Sequence, residues 1–297
     1  MSITRRAALG GLAALAGCSH RADKPAGKPT PDWHDLAFSS GGEGDGEQRA
    51  LVYAPPGSAS WPVLVALHGR GEAGRGVEAG ARGWRDDYDL QKAVDALRSG
   101  EIRSEDAGHM LSLERLEALN RSLRAAPFVG LVIACPYTPV PRGRAPEDAA
   151  PFARFLTDSL LPKVAEVRGG AVERKATGID GVSMGGRYAL SIGLTKTETF
   201  ASVGGLQPAI QVGEADAFAD LAARAAERAP FAIRLVSSEE DPFLEPTRAL
   251  ASALDARKIV HRLVVTSGPH DYAWNRGPGS LELLIHHERV LRGLPAP

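Results

Sequence analysis

Residues 176–190 read ATGIDGVSMGGRYAL, and this stretch carries the clearest structural signal in the sequence. Residues 176–181 predict a strand, whereas 187–190 open a helical pattern with no glycine before Gly193. Between them GVSMGG, residues 181–186, matches the pattern G-x-S-x-G. Flanking glycines there let a serine occupy a sharp turn from strand to helix. The stretch therefore predicts strand, turn and helix, with the Ser183 hydroxyl standing clear of the sheet.

The remainder of the chain alternates strand and helix in the same way. Segments 33–39 and 49–54 flank a glycine-rich loop and predict a hairpin. Further strands, several of them continuous apolar runs typical of strands covered on both faces, are predicted at 62–67, 130–134, 176–181, 200–204, 231–237 and 261–266. Helical patterns occupy 151–166, 185–194, 215–227, 245–256 and 280–291. This alternation predicts an α/β domain with a mostly parallel, doubly wound sheet and an N-terminal antiparallel hairpin.

One long segment interrupts the alternation. Residues 71–126 begin in a glycine-rich loop and continue as polar helical patterns before the strand at 130–134. In an open α/β sheet, an insertion after the carboxyl end of a strand lies over the ligand crevice. We therefore predict a helical insertion at 71–126, acting either as a lid over the site or as a solvated decoration.

Ser183 is the candidate nucleophile, and it needs a base to remove its proton. In sites built on this motif the order along the chain is serine, acid, histidine. His270 directly follows the last predicted strand, in SGPHDY at 267–272, which places it in a loop above the end of the sheet. His286 and His287 are expected on the polar surface of a helix. His270 is therefore the predicted base.

The acid that orients the histidine should follow the strand at 231–237. Asp241 precedes Pro242, which biases it away from helix and towards an extended turn. Such a turn can aim a short carboxylate at the imidazole, where it fixes the tautomer and stabilises the imidazolium. Asp241 is the preferred acid, and Glu240 is the alternative.

A developing oxyanion requires hydrogen-bond donors as well. The backbone N–H of the residue after the nucleophile supplies one, here Met184. The second normally comes from the loop after the third strand, which begins LHGRGE at 67–72. Gly69 allows the backbone to turn tightly there, so the N–H of Arg70 is the second candidate donor.

Four motifs now stand in a fixed order: LHG at 67–69, GVSMGG at 181–186, DP at 241–242 and GPHD at 268–271. Together they resemble an esterase family of the α/β-hydrolase fold that includes esterase D (S-formylglutathione hydrolase) and feruloyl esterases. The resemblance implies hydrolysis of small-molecule carboxylic esters through an acyl-enzyme. It also implies Ser183 as nucleophile, His270 as base and Asp241 as orienting acid. The chain departs from that family in its insertion and in Arg70.

The sequence also bears on other function classes. GRGEAG at 69–74 matches the dinucleotide-binding pattern G-x-G-x-x-G, but more glycines follow it and no second strand comes before 130. No residues have metal-ligand spacing, so neither a cofactor nor a metal is expected. A net charge of −1 disfavours a nucleic-acid partner. A serine peptidase, an acyltransferase, and a lipoprotein that only binds a ligand or partner on this scaffold remain as alternatives.

The N-terminus predicts export from a bacterial cytoplasm. Arg5 and Arg6 resemble a twin-arginine signal, and the apolar run at 7–16 is too short to span a bilayer. LAGC at 15–18 resembles the lipobox of lipoproteins. We predict a signal peptide at 1–17, lipid attachment at Cys18, a tether at 18–31 and an α/β-hydrolase domain at 32–297, held at an extracytoplasmic membrane (periplasmic or cell-surface). Cys135 lies in a buried-strand pattern and is expected in the core.

Overall fold

Eight strands form a single sheet in the computed structural model, which describes residues 32–39 and 46–297. The predicted signal peptide, Cys18 and the tether lie outside these residues. The strands are β1 (Trp33–Phe38), β2 (Gln48–Tyr53), β3 (Val63–Leu67), β4 (Val132–Pro136), β5 (Thr177–Gly181), β6 (Ser202–Leu206), β7 (Ala232–Glu240) and β8 (Arg262–Pro269). Each corresponds to a predicted strand.

The strand order is β1-β2-β4-β3-β5-β6-β7-β8. β1 pairs with β2, and β2 with β4, in antiparallel fashion; every other neighbouring pair is parallel. The mostly parallel sheet and its N-terminal antiparallel hairpin are thus as predicted. Since β3 and β5 lie side by side, the loops after Leu67 and Gly181 emerge next to each other.

Helices cover both faces of this sheet. They are α1 (Arg70–Ala73), α2 (Val77–Ala81), α3 (Gly83–Asp86), α4 (Leu90–Arg98), α5 (Leu113–Ala125), α6 (Ala150–Phe155), α7 (Leu161–Arg168), α8 (Met184–Thr195), α9 (Ala215–Arg228), α10 (Leu244–Ala256), α11 (Tyr272–Trp274) and α12 (Ser280–Leu291). No helix in the described part of the chain combines the length and the apolar character needed to cross a bilayer.

The alternation of side chains along β3 explains the two layers. Val63, Val65 and Leu67 pack into the core shared with α6 to α10. Leu64 and Ala66 point the other way, into the core shared with α4, α5 and α12. Because successive side chains of a strand face opposite sides of the sheet, a continuous apolar run is needed when both faces are covered.

The insertion at 71–126 contains α2 to α5 and is helical, as expected. Trp84, Leu90 and Leu97 from this segment are buried together with Leu281 and Leu284 of α12. Most of the insertion therefore forms one of the two layers on the sheet. Its action as a lid stays a prediction, and the residues that reach the candidate site are few.

Two histidines lie where the sequence did not place them. His286 and His287 of α12 are buried, not on a polar surface. His287 Nε2 is 2.9 Å from an Asp180 carboxylate oxygen, which also accepts a hydrogen bond from Arg234 at 2.8 Å. All three side chains of this network are fully buried. Helical periodicity could not reveal this burial, because the covering layer comes from distant segments of the chain.

Candidate active site

Ser183 occupies a strained turn between β5 and α8. Its backbone angles are φ 57° and ψ −117°, a region that side-chain-bearing residues rarely adopt. Strain of this kind costs about 1–3 kcal/mol and persists only where neighbouring structure enforces it. The turn is held on both sides, since Ser183 N–H donates to Leu206 O at 2.9 Å and Val182 N–H donates to Leu67 O at 3.0 Å.

The glycines of the motif are required by close backbone approach. A Cβ placed on Gly181 would lie 2.7 Å from Leu67 O. One placed on Gly185 would lie 2.6 Å from His68 O. The loop after β3 therefore passes directly against the turn after β5, and this contact brings the second candidate oxyanion donor towards Ser183.

Asp241 and His270 are joined by a hydrogen bond. His270 Nδ1 lies 2.9 Å from Asp241 Oδ1. The Asp241 side chain is fully buried and also accepts hydrogen bonds from Ser237 Oγ at 2.5 Å and Phe243 N–H at 3.0 Å. Glu240, the alternative acid, is exposed at the end of β7. The structure thus places the preferred acid, and not its alternative, against the ring.

Ser183 and His270 line the same cavity, of about 270 Å³. Because the Asp241 carboxylate can only accept, it favours the proton on His270 Nδ1 and leaves Nε2 free to act as a base. No hydrogen bond between the Ser183 hydroxyl and His270 occurs among the described residues. Catalytic hydrogen bonds of this kind often tighten only when substrate binds.

The two candidate oxyanion donors flank Ser183. Arg70 is the first residue of α1 and Met184 is the first residue of α8. Backbone N–H groups at a helix N-terminus have no intrahelical acceptor, so both are open to a ligand. Both residues, with Ser183, line a second cavity of about 470 Å³. Both residues thus border the space beside Ser183, and their N–H groups remain the predicted oxyanion donors.

A buried carboxylate beside the site was missed by sequence reasoning. Glu72 accepts hydrogen bonds from Tyr88 Oη at 2.5 Å and from Tyr272 Oη at 2.6 Å. Tyr88 Oη in turn accepts the Gly69 N–H at 3.1 Å. Burial, reinforced by Glu72, raises the pKa of Tyr88 well above its usual value and that of Tyr272 to about 12, so both phenols stay protonated donors. This cluster links the loop after β3 to the loop that carries the histidine.

The His68 side chain connects two loops and has a structural role. Its Nε2 accepts Thr138 N–H at 2.8 Å, which leaves Nδ1 to donate to Gly69 O at 2.9 Å. Burial lowers the pKa of His68 to about 4, so the ring is neutral at pH 7. His68 therefore holds the loop after β3 against the loop after β4. In the described part of the chain, no group of three or more histidine, cysteine, aspartate or glutamate side chains is arranged to hold a metal ion.

Solved structures with this architecture cover 84–87% of the chain. A ferulic acid esterase aligns with a TM-score of 0.62 over 87% of this chain and 99% of its own, at 15% identity. The fold is that of the α/β-hydrolases. An S-formylglutathione hydrolase from Staphylococcus aureus aligns with a TM-score of 0.58 over 84% of this chain and 95% of its own, at 13% identity. The fluorophosphonate-binding serine hydrolase F of that organism aligns with a TM-score of 0.55 over the same shares, at 12% identity.

A family profile also matches part of the chain. The profile of the family described as Putative esterase matches residues 136–277, which include Ser183, Asp241 and His270. No curated protein sequence matches the chain. The α/β-hydrolase fold predicted from the motifs is confirmed, and the matched family and the fold together support a carboxylesterase-like hydrolase.

Proposed function

We propose that this α/β-hydrolase cleaves carboxylic esters through an acyl-enzyme formed on Ser183. The observation that carries the proposal is the buried Asp241 carboxylate bonded to His270 Nδ1, with His270 and the strained Ser183 sharing one cavity. Backbone strain of this kind is concentrated at functional sites, so the strained conformation of Ser183 supports its role as the nucleophile.

The reaction follows from these positions. His270 Nε2 takes the proton of the Ser183 hydroxyl as its oxygen attacks the ester carbonyl. The backbone N–H groups of Met184 and Arg70 stabilise the resulting oxyanion. When the tetrahedral intermediate collapses, the imidazolium gives its proton to the departing alcohol. His270 then activates a water molecule, which hydrolyses the acyl-enzyme and restores the free serine. Asp241 keeps the ring oriented throughout.

Covalent labelling tests this proposal directly. The wild-type protein should react with a fluorophosphonate reagent, and Ser183→Ala should fold and remain unlabelled. Equal labelling of the variant would exclude Ser183 as the nucleophile. A protein that is not labelled and turns over no ester would favour the alternative of a lipoprotein whose scaffold only binds a ligand or partner.

A comparison of substrates distinguishes the esterase from the two enzymatic alternatives, a serine peptidase and an acyltransferase. We expect turnover of para-nitrophenyl acetate and none of peptide amides, because an amide has a poorer leaving group than an aryl ester. Release of acyl product to water alone, with no gain when an alcohol or amine acceptor is added, would exclude acyl transfer as the main reaction.

We also propose that the chain is a bacterial lipoprotein held at an extracytoplasmic membrane through Cys18. The support is in the sequence alone: Arg5 and Arg6, the short apolar run at 7–16 and LAGC at 15–18. Cys18→Ala should shift the protein from the membrane fraction to the soluble fraction, while ester turnover is unchanged. Unaltered fractionation would contradict the lipid anchor.

A further inference from the structure

The larger of the two cavities at Ser183 is basic. Its lining contains four arginines and no acidic residue: Arg70, Arg142, Arg144 and Arg187. The smaller cavity, which also contains His270, is lined instead by Glu72 and Asp271 together with Arg70. The net charge of the chain, −1, does not indicate that basic residues line one cavity at the candidate nucleophile and acidic residues line the other.

The positive charge of the larger cavity exceeds what its surroundings neutralise. Arg187 lies 2.8 Å from Glu214 Oε1, and Arg144 Nε donates to the same oxygen at 3.2 Å. Two guanidinium groups therefore share one carboxylate. Burial alone would raise the pKa of Glu214, but the hydrogen bonds from Arg144 and Arg187 outweigh it and the pKa is lowered. Glu214 thus contributes one negative charge against two positive charges.

One arginine of this cavity is open to a ligand. The Arg187 side chain is only 8% exposed, and its Nε, which has no hydrogen-bond partner among the described residues, is buried from solvent, so Arg187 contributes positive charge and no open donor. Arg70 is exposed at the rim of both cavities, and no carboxylate of the described part of the chain forms an ion pair with it. Arg142 has an interaction partner of its own.

We propose that this cavity binds a carboxylate carried by the ester substrate, an inference that rests on the proposed ester hydrolysis. A guanidinium group presents a planar set of donors that matches a carboxylate. Val140, Pro141 and Phe243 line the same space and can contact the carbon chain between the carboxylate and the ester. The acidic lining of the smaller cavity repels an anion, so the charged end of the substrate lies on the arginine side.

Matched substrate pairs test this proposal. In the first pair, the mono-para-nitrophenyl ester of adipate carries a free carboxylate on its acyl chain, and its methyl-capped analogue is neutral. In the second, para-acetoxybenzoate carries the charge on the leaving alcohol, and para-acetoxybenzamide is neutral. We expect the charged member of one pair to have the higher kcat/KM by about tenfold or more, mainly through a lower KM. The pair that shows the preference assigns the cavity to the acyl or the alcohol portion.

Variants connect the preference to the cavity. Arg70→Gln removes a charge from an exposed side chain and keeps the backbone N–H, so we expect the ratio of kcat/KM between the charged and the neutral member of the preferred pair to fall to within about threefold. Because this ratio is taken within one pair, a change in turnover that affects both members equally leaves it unaltered. Arg70→Lys should retain most of the preference. Arg224→Gln is the matched control, since Arg224 is exposed on α9 and lines neither cavity. High salt should weaken the preference of the wild-type enzyme, because it screens exposed charges.

The outcomes separate the two proposals. If neutral esters are hydrolysed and neither charged substrate is preferred, the carboxylate site is refuted and the esterase stands. A preference that Arg70→Gln leaves intact also refutes it, because the arginine cavity is then not what recognises the anion. If no ester is hydrolysed, or if Ser183→Ala still hydrolyses them, the proposed function itself fails.

Discussion

The hydroxyl oxygen of Tyr88 makes two hydrogen bonds. It donates to the buried Glu72 carboxylate at 2.5 Å and accepts the Gly69 N–H at 3.1 Å. Gly69 immediately precedes Arg70, whose N–H is a candidate oxyanion donor. We therefore predict that Tyr88→Phe, which removes only this oxygen, lowers both stability and turnover.

The magnitude follows from the two partners that lose their hydrogen bonds. A buried donor or acceptor left unsatisfied costs about 1–3 kcal/mol, and more for a charged group. Both the Gly69 N–H and one Glu72 oxygen lose their partner, so the expected loss in the free energy of unfolding is about 2–5 kcal/mol. Complete loss of one oxyanion donor costs on the order of 10²–10³ in kcat. Loosening the loop that carries the donor should cost less, about 10- to 100-fold.

Urea unfolding and steady-state hydrolysis of para-nitrophenyl acetate measure these two effects. Tyr272→Phe serves as the comparison, because it removes one hydrogen bond to the same Glu72 carboxylate but none to Gly69. Its effects on stability and on kcat should both be smaller. A Tyr88→Phe protein as stable as wild type would refute the energetic argument. A destabilised variant with unchanged kcat would refute the link between this hydroxyl and the oxyanion loop.

Three other predictions concern the acid, the turn and one buried histidine. Asp241→Asn should lower kcat by about 10⁴ through the wrong histidine tautomer, whereas Glu240→Gln should stay near wild type in the same ester assay; the reverse result would transfer the role to Glu240. Gly185→Ala should abolish soluble, folded protein or turnover, as judged by circular dichroism and ester hydrolysis, because its Cβ would lie 2.6 Å from a carbonyl oxygen of the neighbouring loop; a stable, active variant would contradict the close approach. Burial lowers the pKa of His286 well below its usual value, and its ring nitrogens have no partner among the described residues. The unfolded state therefore binds more protons as pH falls below about 6.5, and stability declines there. His286→Leu should reduce this decline by up to about 1.4 kcal/mol per pH unit in urea titrations, and an unchanged pH dependence would show that the ring is not held neutral.

Local sequence pattern was sufficient for the strands, the principal helices and the fold class. Strand β5 and the turn at Ser183 are examples, since residues 176–190 contain both the strand and the glycines that its turn requires. His270 and Asp241 could be predicted for a related reason. Each follows a strand of a parallel sheet, and the carboxyl ends of such strands meet at one edge. That rule places side chains near one another without any knowledge of their contacts.

The contacts that depend on distant segments came only from the tertiary structure. Glu72 and Tyr272 are 200 positions apart, and nothing in either segment indicates that one carboxylate accepts from two phenols. The arginine cavity is likewise assembled from the loops near residues 70 and 142 and from α8. The helical pattern predicts that His286 and His287 are exposed to solvent. In the structure they are buried by distant segments of the chain, whose positions a local pattern cannot indicate. Periodicity reports which side of an element is apolar, whereas a polar side chain is buried or exposed according to which remote partner reaches it.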